Sequence, residues 1–123
     1  MTTVGVGIQV TVIATNQPYS STFSASYTTQ GGAMLVQFSG SAWTNVAGTM
    51  LAVNLTMNNG VIGTASVLAN QATMHLALIP VTVSIIPQSP GTITFSVAPK
   101  PNTDTICDQN DLFNIVVWEF PTE

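Results

Sequence analysis

Apolar and polar residues alternate with period two along most of the chain, as strands with one buried face do, and helical periodicity is nearly absent. Val4, Val6, Ile8, Val10 and Val12 share one face of the first run, with Gly5, Gly7, Gln9 and Thr11 on the other. In the polar stretch Thr15 to Gln30, Phe23, Ala25 and Tyr27 alternate with Ser and Thr, which predicts a second, partly exposed strand ahead of Gly31-Gly32. Met34, Val36 and Phe38 give a third, and Gly40 to Gly48 reads as a connection carrying Trp43. Leu51, Val53, Leu55 and Met57 alternate with Ala52, Asn54 and Thr56, and Asn58-Asn59-Gly60 then precedes Val61 to Val67. Asn59-Gly60 accepts positive φ at both turn centres, so a type I′ hairpin is predicted there.

The run His75 to Ile86 sets Ala77, Ile79, Val81, Val83 and Ile85 on one face. Pro80 interrupts it and cannot donate to a ladder, which predicts an edge position or a bulge. After the turn Pro87-Gln88-Ser89-Pro90-Gly91, Ile93, Phe95 and Val97 mark another half-buried strand. Ala98 to Asp111 is loop by composition. The last segment is apolar on both faces, Phe113, Ile115 and Val117 on one and Val116, Trp118 and Phe120 on the other, as a strand covered on both sides would be. About eight short strands with Gly, Pro and Asn turns indicate an all-β, two-sheet antiparallel sandwich of jelly-roll type. In a two-sheet monomer one face of each sheet meets water, so the second apolar face of the last strand predicts a subunit interface drawn from Phe113, Ile115, Val117, Trp118 and Phe120.

At 123 residues the chain fits a single domain, 1–123, with N-terminal strands in 1–32 and the core of the sandwich in 33–120. The one cysteine, Cys107, cannot close an intrachain disulfide, so stability rests on packing, hydrogen bonds and subunit association. Only 5% of residues are charged, against about 25% in an average soluble domain, so Thr, Ser, Asn and Gln must clothe the surface. A net charge of -4 with Lys100 as the sole basic side chain argues against nucleic acid or an anionic bilayer as partner. No apolar run is long enough for a spanning helix, and Met1 to Gly5 lacks the basic and apolar regions of a signal peptide. An extracellular, cell-surface or virion location would then require lysis, another export machine or a leader already removed.

Asp104, Asp108, Asn110 and Asp111 lie in one loop, and oxygen-rich loops of that kind hold calcium. Their spacing does not follow an EF-hand, and Asp side chains that cap turns through their own backbone are the preferred reading. No other cofactor is expected. His75 is the only histidine, so a His-based metal site would have to recruit other ligand types or other subunits, and a hydrogen-bonded structural residue at a strand start is the preferred reading. No nucleophile elbow, Gly-rich phosphate loop or paired catalytic Glu surrounds Cys107 and His75, and the chain reads as non-enzymatic. Trp43, Tyr19 and Tyr27 sit in polar surroundings where aromatic rings stack on sugar faces, which makes them candidate glycan contacts. Asn54-Leu55-Thr56 matches a glycosylation sequon, but it lies inside a predicted strand and reads as coincidence.

Four pieces resemble the globular heads of the tumour necrosis factor and complement-head superfamily, particularly its small bacterial and phage structural members. They are Phe38-Ser39-Gly40-Ser41-Ala42-Trp43, the Asn-Gly hairpin after Leu55, Met74-His75-Leu76-Ala77-Leu78-Ile79-Pro80, and Asp111 through Glu119. The resemblance implies a jelly-roll homotrimer with aromatic and aliphatic residues around its three-fold axis, recognising a protein or glycan at the outer surface or between subunits. The low charge and the lack of a collagen-like or membrane-anchored stalk set this chain apart from the animal members. The expected function is a non-enzymatic head domain of a bacterial, phage or virion surface assembly. A carbohydrate-binding lectin and a capsid or coat subunit are the alternatives.

Overall fold

The computed structural model describes residues 7–122. Ten strands occur among them and no helix: β1 (Gln9–Pro18), β2 (Ala25–Thr29), β3 (Met34–Ser39), β4 (Ser41–Ala42), β5 (Thr49–Met57), β6 (Gly60–Ala69), β7 (Leu76–Ala77), β8 (Val81–Ile85), β9 (Gly91–Pro99) and β10 (Leu112–Glu119). Two four-stranded antiparallel sheets, ordered β1-β10-β3-β8 and β2-β9-β5-β6, face each other, and β4 pairs with β7 beside them. Apart from the β5–β6 hairpin, successive long strands alternate between the two sheets, which makes the sandwich a jelly roll of the expected kind.

The period-two pattern fills the space between the sheets. Met34, Val36 and Phe38 of β3, Leu51, Val53 and Leu55 of β5, Ile93, Phe95 and Val97 of β9, and Phe113, Ile115 and Val117 of β10 are all buried there. Phe113 is the hub, its ring 6.3 Å from that of Tyr19, 6.0 Å from Phe23 and 6.1 Å from Phe38. Gly40 lets the backbone pass directly over that ring, because a Cβ there would collide with Phe113. Phe23, Ala25 and Tyr27 are buried too, so the polar stretch around β2 supplies core residues where partial exposure was expected.

Three local expectations are corrected. The hairpin turn is centred one residue earlier than Asn59-Gly60: Asn58 and Asn59 hold the positive φ angles, 49° and 72°, and Gly60 already pairs with Met57. Asn tolerates the left-handed region well enough to take both central places of the turn. The run His75 to Ile86 breaks at Pro80 into β7, which pairs with β4, and β8, an edge strand paired with β3. Ile79, expected to share one face with Val81, Val83 and Ile85, is 65% exposed, whereas Ile85 is buried.

The third correction concerns β1. Val10 lies opposite Trp118 and Val12 opposite Val116, on the outer side of the sheet, and the two valines are 52% and 57% exposed. Register shifts after Val12 and after Ala14 then turn the strand over, so that Ala14, in phase with Val12 by sequence, is buried. The apolar face of the first run is therefore turned away from the core. Val4 and Val6 lie outside the described residues.

Candidate functional site

The residues singled out from sequence separate into a core set, an outer sheet face and a polar corner. Phe113, Ile115 and Val117 are fully enclosed in the sandwich and cannot meet another subunit. Trp118, on the opposite face of β10, and Phe120, just past its end, are partly exposed. Trp118 donates its Nε1–H to Gln37 Oε1 on β3 at 3.0 Å, so its one polar atom is satisfied within the chain. With Val10, Val12, Val116 and Leu35 it forms an apolar band across β1, β10 and β3. Asn114, Gln37, Ser39, Thr82 and Ser84 complete that face, and no charged side chain interrupts it.

Tyr27 is not a glycan contact. It is 7% exposed, and its hydroxyl donates to Glu119 Oε1. The other oxygen of this buried carboxylate accepts from Thr29 Oγ1 at 2.8 Å and from the backbone N–H groups of Gln30 and Gly32 at 2.9 Å each. Burial pushes the Glu119 carboxyl up, but the hydrogen bonds from Tyr27, Gly32, Thr29 and Gln30 outweigh it and hold the group below its ordinary value. Tyr27 moves the other way, to about 12, through burial and then the Glu119 carboxylate beside it. The cluster pins the 30–32 loop to the end of β10, a structural role. Tyr19 is half-buried against Phe113, and burial followed by the proximity of Cys107 raises its hydroxyl pKa.

The polar corner forms where the loop before β10 meets β4 and the residues before β7. Trp43 and Ile106 exchange backbone hydrogen bonds of 2.9 and 2.8 Å, which brings the Asp loop against the Trp43 ring. Trp43 Nε1–H then donates to Asp108 Oδ2 at 3.1 Å. Asp111 is fully buried and accepts from Ser41 Oγ at 2.6 Å and from the Asp108 backbone N–H at 2.9 Å, while His75 Nδ1 lies 2.7 Å from its Oδ1. His75 Nε2 faces Asp108 Oδ2 at 3.9 Å, and the imidazole lies 5.8 Å from the Trp43 ring, centroid to centroid. Burial, then Asp111 and Asp108, push the neighbouring Cys107 thiol up to about 12. This thiol is therefore an unreactive one.

Asp108 also caps its own turn by accepting the Asn110 N–H at 2.8 Å, as expected of an Asp in a loop. Asp104 is exposed and outside this group, so the three aspartates do not converge on one point as a calcium set would. His75 stands in its place, with Ser41 behind Asp111. Ser41 was not singled out from sequence and His75 only without its partners, because the two lie 70 and 36 positions from Asp111 and only the fold joins them.

No family model matches the chain, and no curated protein matches it. Solved structures are similar throughout its length. The tripod from the baseplate of bacteriophage Tuc2009 is 10% identical with a TM-score of 0.60, over 98% of this chain and 69% of that one. The globular domain of zebrafish complement 1qA protein is 9% identical with a TM-score of 0.53, over 95% of this chain and 97% of that one. Dimeric latent PorU from Porphyromonas gingivalis is 10% identical with a TM-score of 0.57, over 93% of this chain but 13% of that one. At such identities the likeness establishes the fold alone, a two-sheet jelly roll like that of the complement 1qA globular domain. No helix among the described residues is long and apolar enough to cross a membrane.

Proposed function

We propose that the chain is a non-enzymatic binding and structural module that assembles as a homotrimer, the head domain of a bacterial, phage or virion surface assembly that recognises a protein or glycan. The observation that carries this reading is the outer face of the β1-β10-β3-β8 sheet. Val10 and Val12 there are more than half exposed, flanked by Val116, Trp118 and Leu35 and free of charge. Fully burying a side chain of this kind contributes about 1.5–3 kcal/mol, so a band of several such residues drives association once a complementary surface is present. A second copy of the same uncharged sheet is such a surface, and a charge placed in it would be buried without a partner. The phage tripod and the complement 1qA domain share the fold, which agrees with this reading.

Native mass spectrometry of the full chain and of Val12→Lys tests it. The wild type is expected as a trimer and Val12→Lys as a folded monomer. A wild-type monomer, or a Val12→Lys trimer, would overturn the assignment, and a closed shell of many copies would favour a coat subunit. Trp43 supports a second, lectin reading, because its half-exposed ring stands beside the Asp108 and His75 polar atoms. Glycan-array binding that disappears in folded Trp43→Ala would favour it, and no binding to any glycan at high protein concentration would remove it.

A further inference from the structure

The polar corner carries an inference independent of oligomerisation. The geometry points to a divalent transition-metal site of the zinc type at His75 Nε2 and Asp108, with Asp111 as the residue that positions the imidazole.

Asp111 is fully buried and, when ionised, is an acceptor only; its Oδ1 already receives the Ser41 hydroxyl at 2.6 Å. The 2.7 Å contact to His75 Nδ1 therefore requires the proton to sit on Nδ1. In the neutral ring this leaves Nε2 with a bare lone pair. Nε2 lies 3.9 Å from Asp108 Oδ2, too far for a hydrogen bond but within the span that one ion can bridge.

A carboxylate on one imidazole nitrogen that presents the other to a metal is a recurrent way of fixing tautomer and ring orientation. Zinc binds nitrogen and oxygen ligands at about 2.0–2.2 Å, so an ion fits between Nε2 and Oδ2 at an obtuse angle, and a closing movement of about 0.5 Å makes it tetrahedral. Water completes the shell, because the side chains of His75 and Asp108 are 36% and 38% exposed. Charge favours the same occupant. Two aspartates meet here, and Lys100, the only Lys or Arg in the chain, forms no ion pair among the described residues. An imidazole ligand selects zinc, nickel or copper over calcium, whose sites are built from oxygen alone.

The test is calorimetric titration of the untagged full chain with ZnCl2 and, separately, CaCl2, repeated on His75→Gln and Asp108→Asn. The Gln amide can still donate to Asp111, and the Asn oxygen can still accept from Trp43, so both variants keep their neighbours' hydrogen bonds. Circular dichroism confirms that each is folded, and if one is not, the other carries the test. One zinc per chain is expected, weakened by about tenfold or more in either variant, with calcium binding more weakly than zinc. In a Trp118→Phe background, Ni²⁺ is expected to quench Trp43, whose ring lies 5.8 Å from His75, and to fail to do so once His75 is Gln. The proposal is overturned by no zinc binding at about 1 mM, by zinc affinity unchanged in folded His75→Gln or Asp108→Asn, or by calcium binding more tightly than zinc.

Discussion

Replacing Glu119 isolates the contribution of a single buried carboxylate to the sandwich. It takes hydrogen bonds from Tyr27, Thr29, Gln30 and Gly32, and it is 3% exposed. Glu119→Leu leaves all of those donors without a partner, two of them backbone N–H groups of the loop that closes over the end of β10. An orphaned buried donor costs about 1–3 kcal/mol, so the loss is expected to be about 4 kcal/mol or more. That is a large share of the ~5–15 kcal/mol that holds a domain of this size together. Glu119→Gln is expected to be milder: the amide oxygen can serve the three donors at the Oε2 position, and Tyr27 can turn to accept from the amide NH2. What goes is the charge-assisted part, about 1–3 kcal/mol in all.

The two variants also separate on acidification. Because the folded state holds Glu119 below its ordinary pKa, its contribution is fully present above the unfolded-state value of 4.5 and is lost as pH falls through the lower folded value. Urea titrations of wild type and both variants, at one protein concentration and at pH 7 and pH 3, read both effects. The difference between wild type and Glu119→Gln is expected to shrink at pH 3. A Glu119→Leu loss under about 1 kcal/mol at pH 7 would refute the reasoning, since three unpaired buried donors and a fourth part-buried one cannot be that cheap. A wild-type to Gln difference that grows on acidification would refute it equally.

Gly32→Ala puts a Cβ into the Phe120 carbonyl oxygen, and Gly40→Ala puts one into the Phe113 ring. Each is expected to lower the melting temperature by several degrees, equivalent to more than about 1 kcal/mol, in calorimetric scans. Asn59→Val is expected to cost about 1 kcal/mol or more in urea unfolding because φ there is 72°, whereas Asn59→Gly should be close to neutral. Cys107 and Tyr27 rise from 9.0 and 10.0 to about 12 in the folded state, so both favour the protonated form. Their contribution is intact below pH 9 and falls away between there and about pH 12, which urea unfolding across that range will read. At neutral pH the same Cys107 shift should slow alkylation of the native thiol by about a hundredfold or more relative to free cysteine.

The strands that alternate without interruption were legible in the sequence. β3, β9 and β10 present the faces that their apolar residues predict, because period-two burial is a local property of a strand in a packed sheet. The direction of β1 was not legible. Alternation marks an apolar face without saying which layer it meets, and the shift after Val12 reverses the phase within the strand. Both faces of β10 are apolar in the sequence, but allotting them needed the fold: Phe113, Ile115 and Val117 fill the core, and the opposite face looks outward. The polar corner was half legible. Asp108, Asp111 and Trp43 were singled out, yet what joins them is a hydrogen-bond geometry spanning dozens of residues, to which no local pattern points. Tyr27 misled for the same reason, since its partner Glu119 is 92 positions away.

The account turns on whether the outward valines and Trp118 are covered by copies of the same chain, and sedimentation equilibrium over a wide concentration range measures that directly. It predicts a species of three times the 12.9 kDa chain mass that gives way to monomer when Lys replaces Val12. A wild-type mass that stays at 12.9 kDa from the most dilute to the most concentrated sample would contradict it.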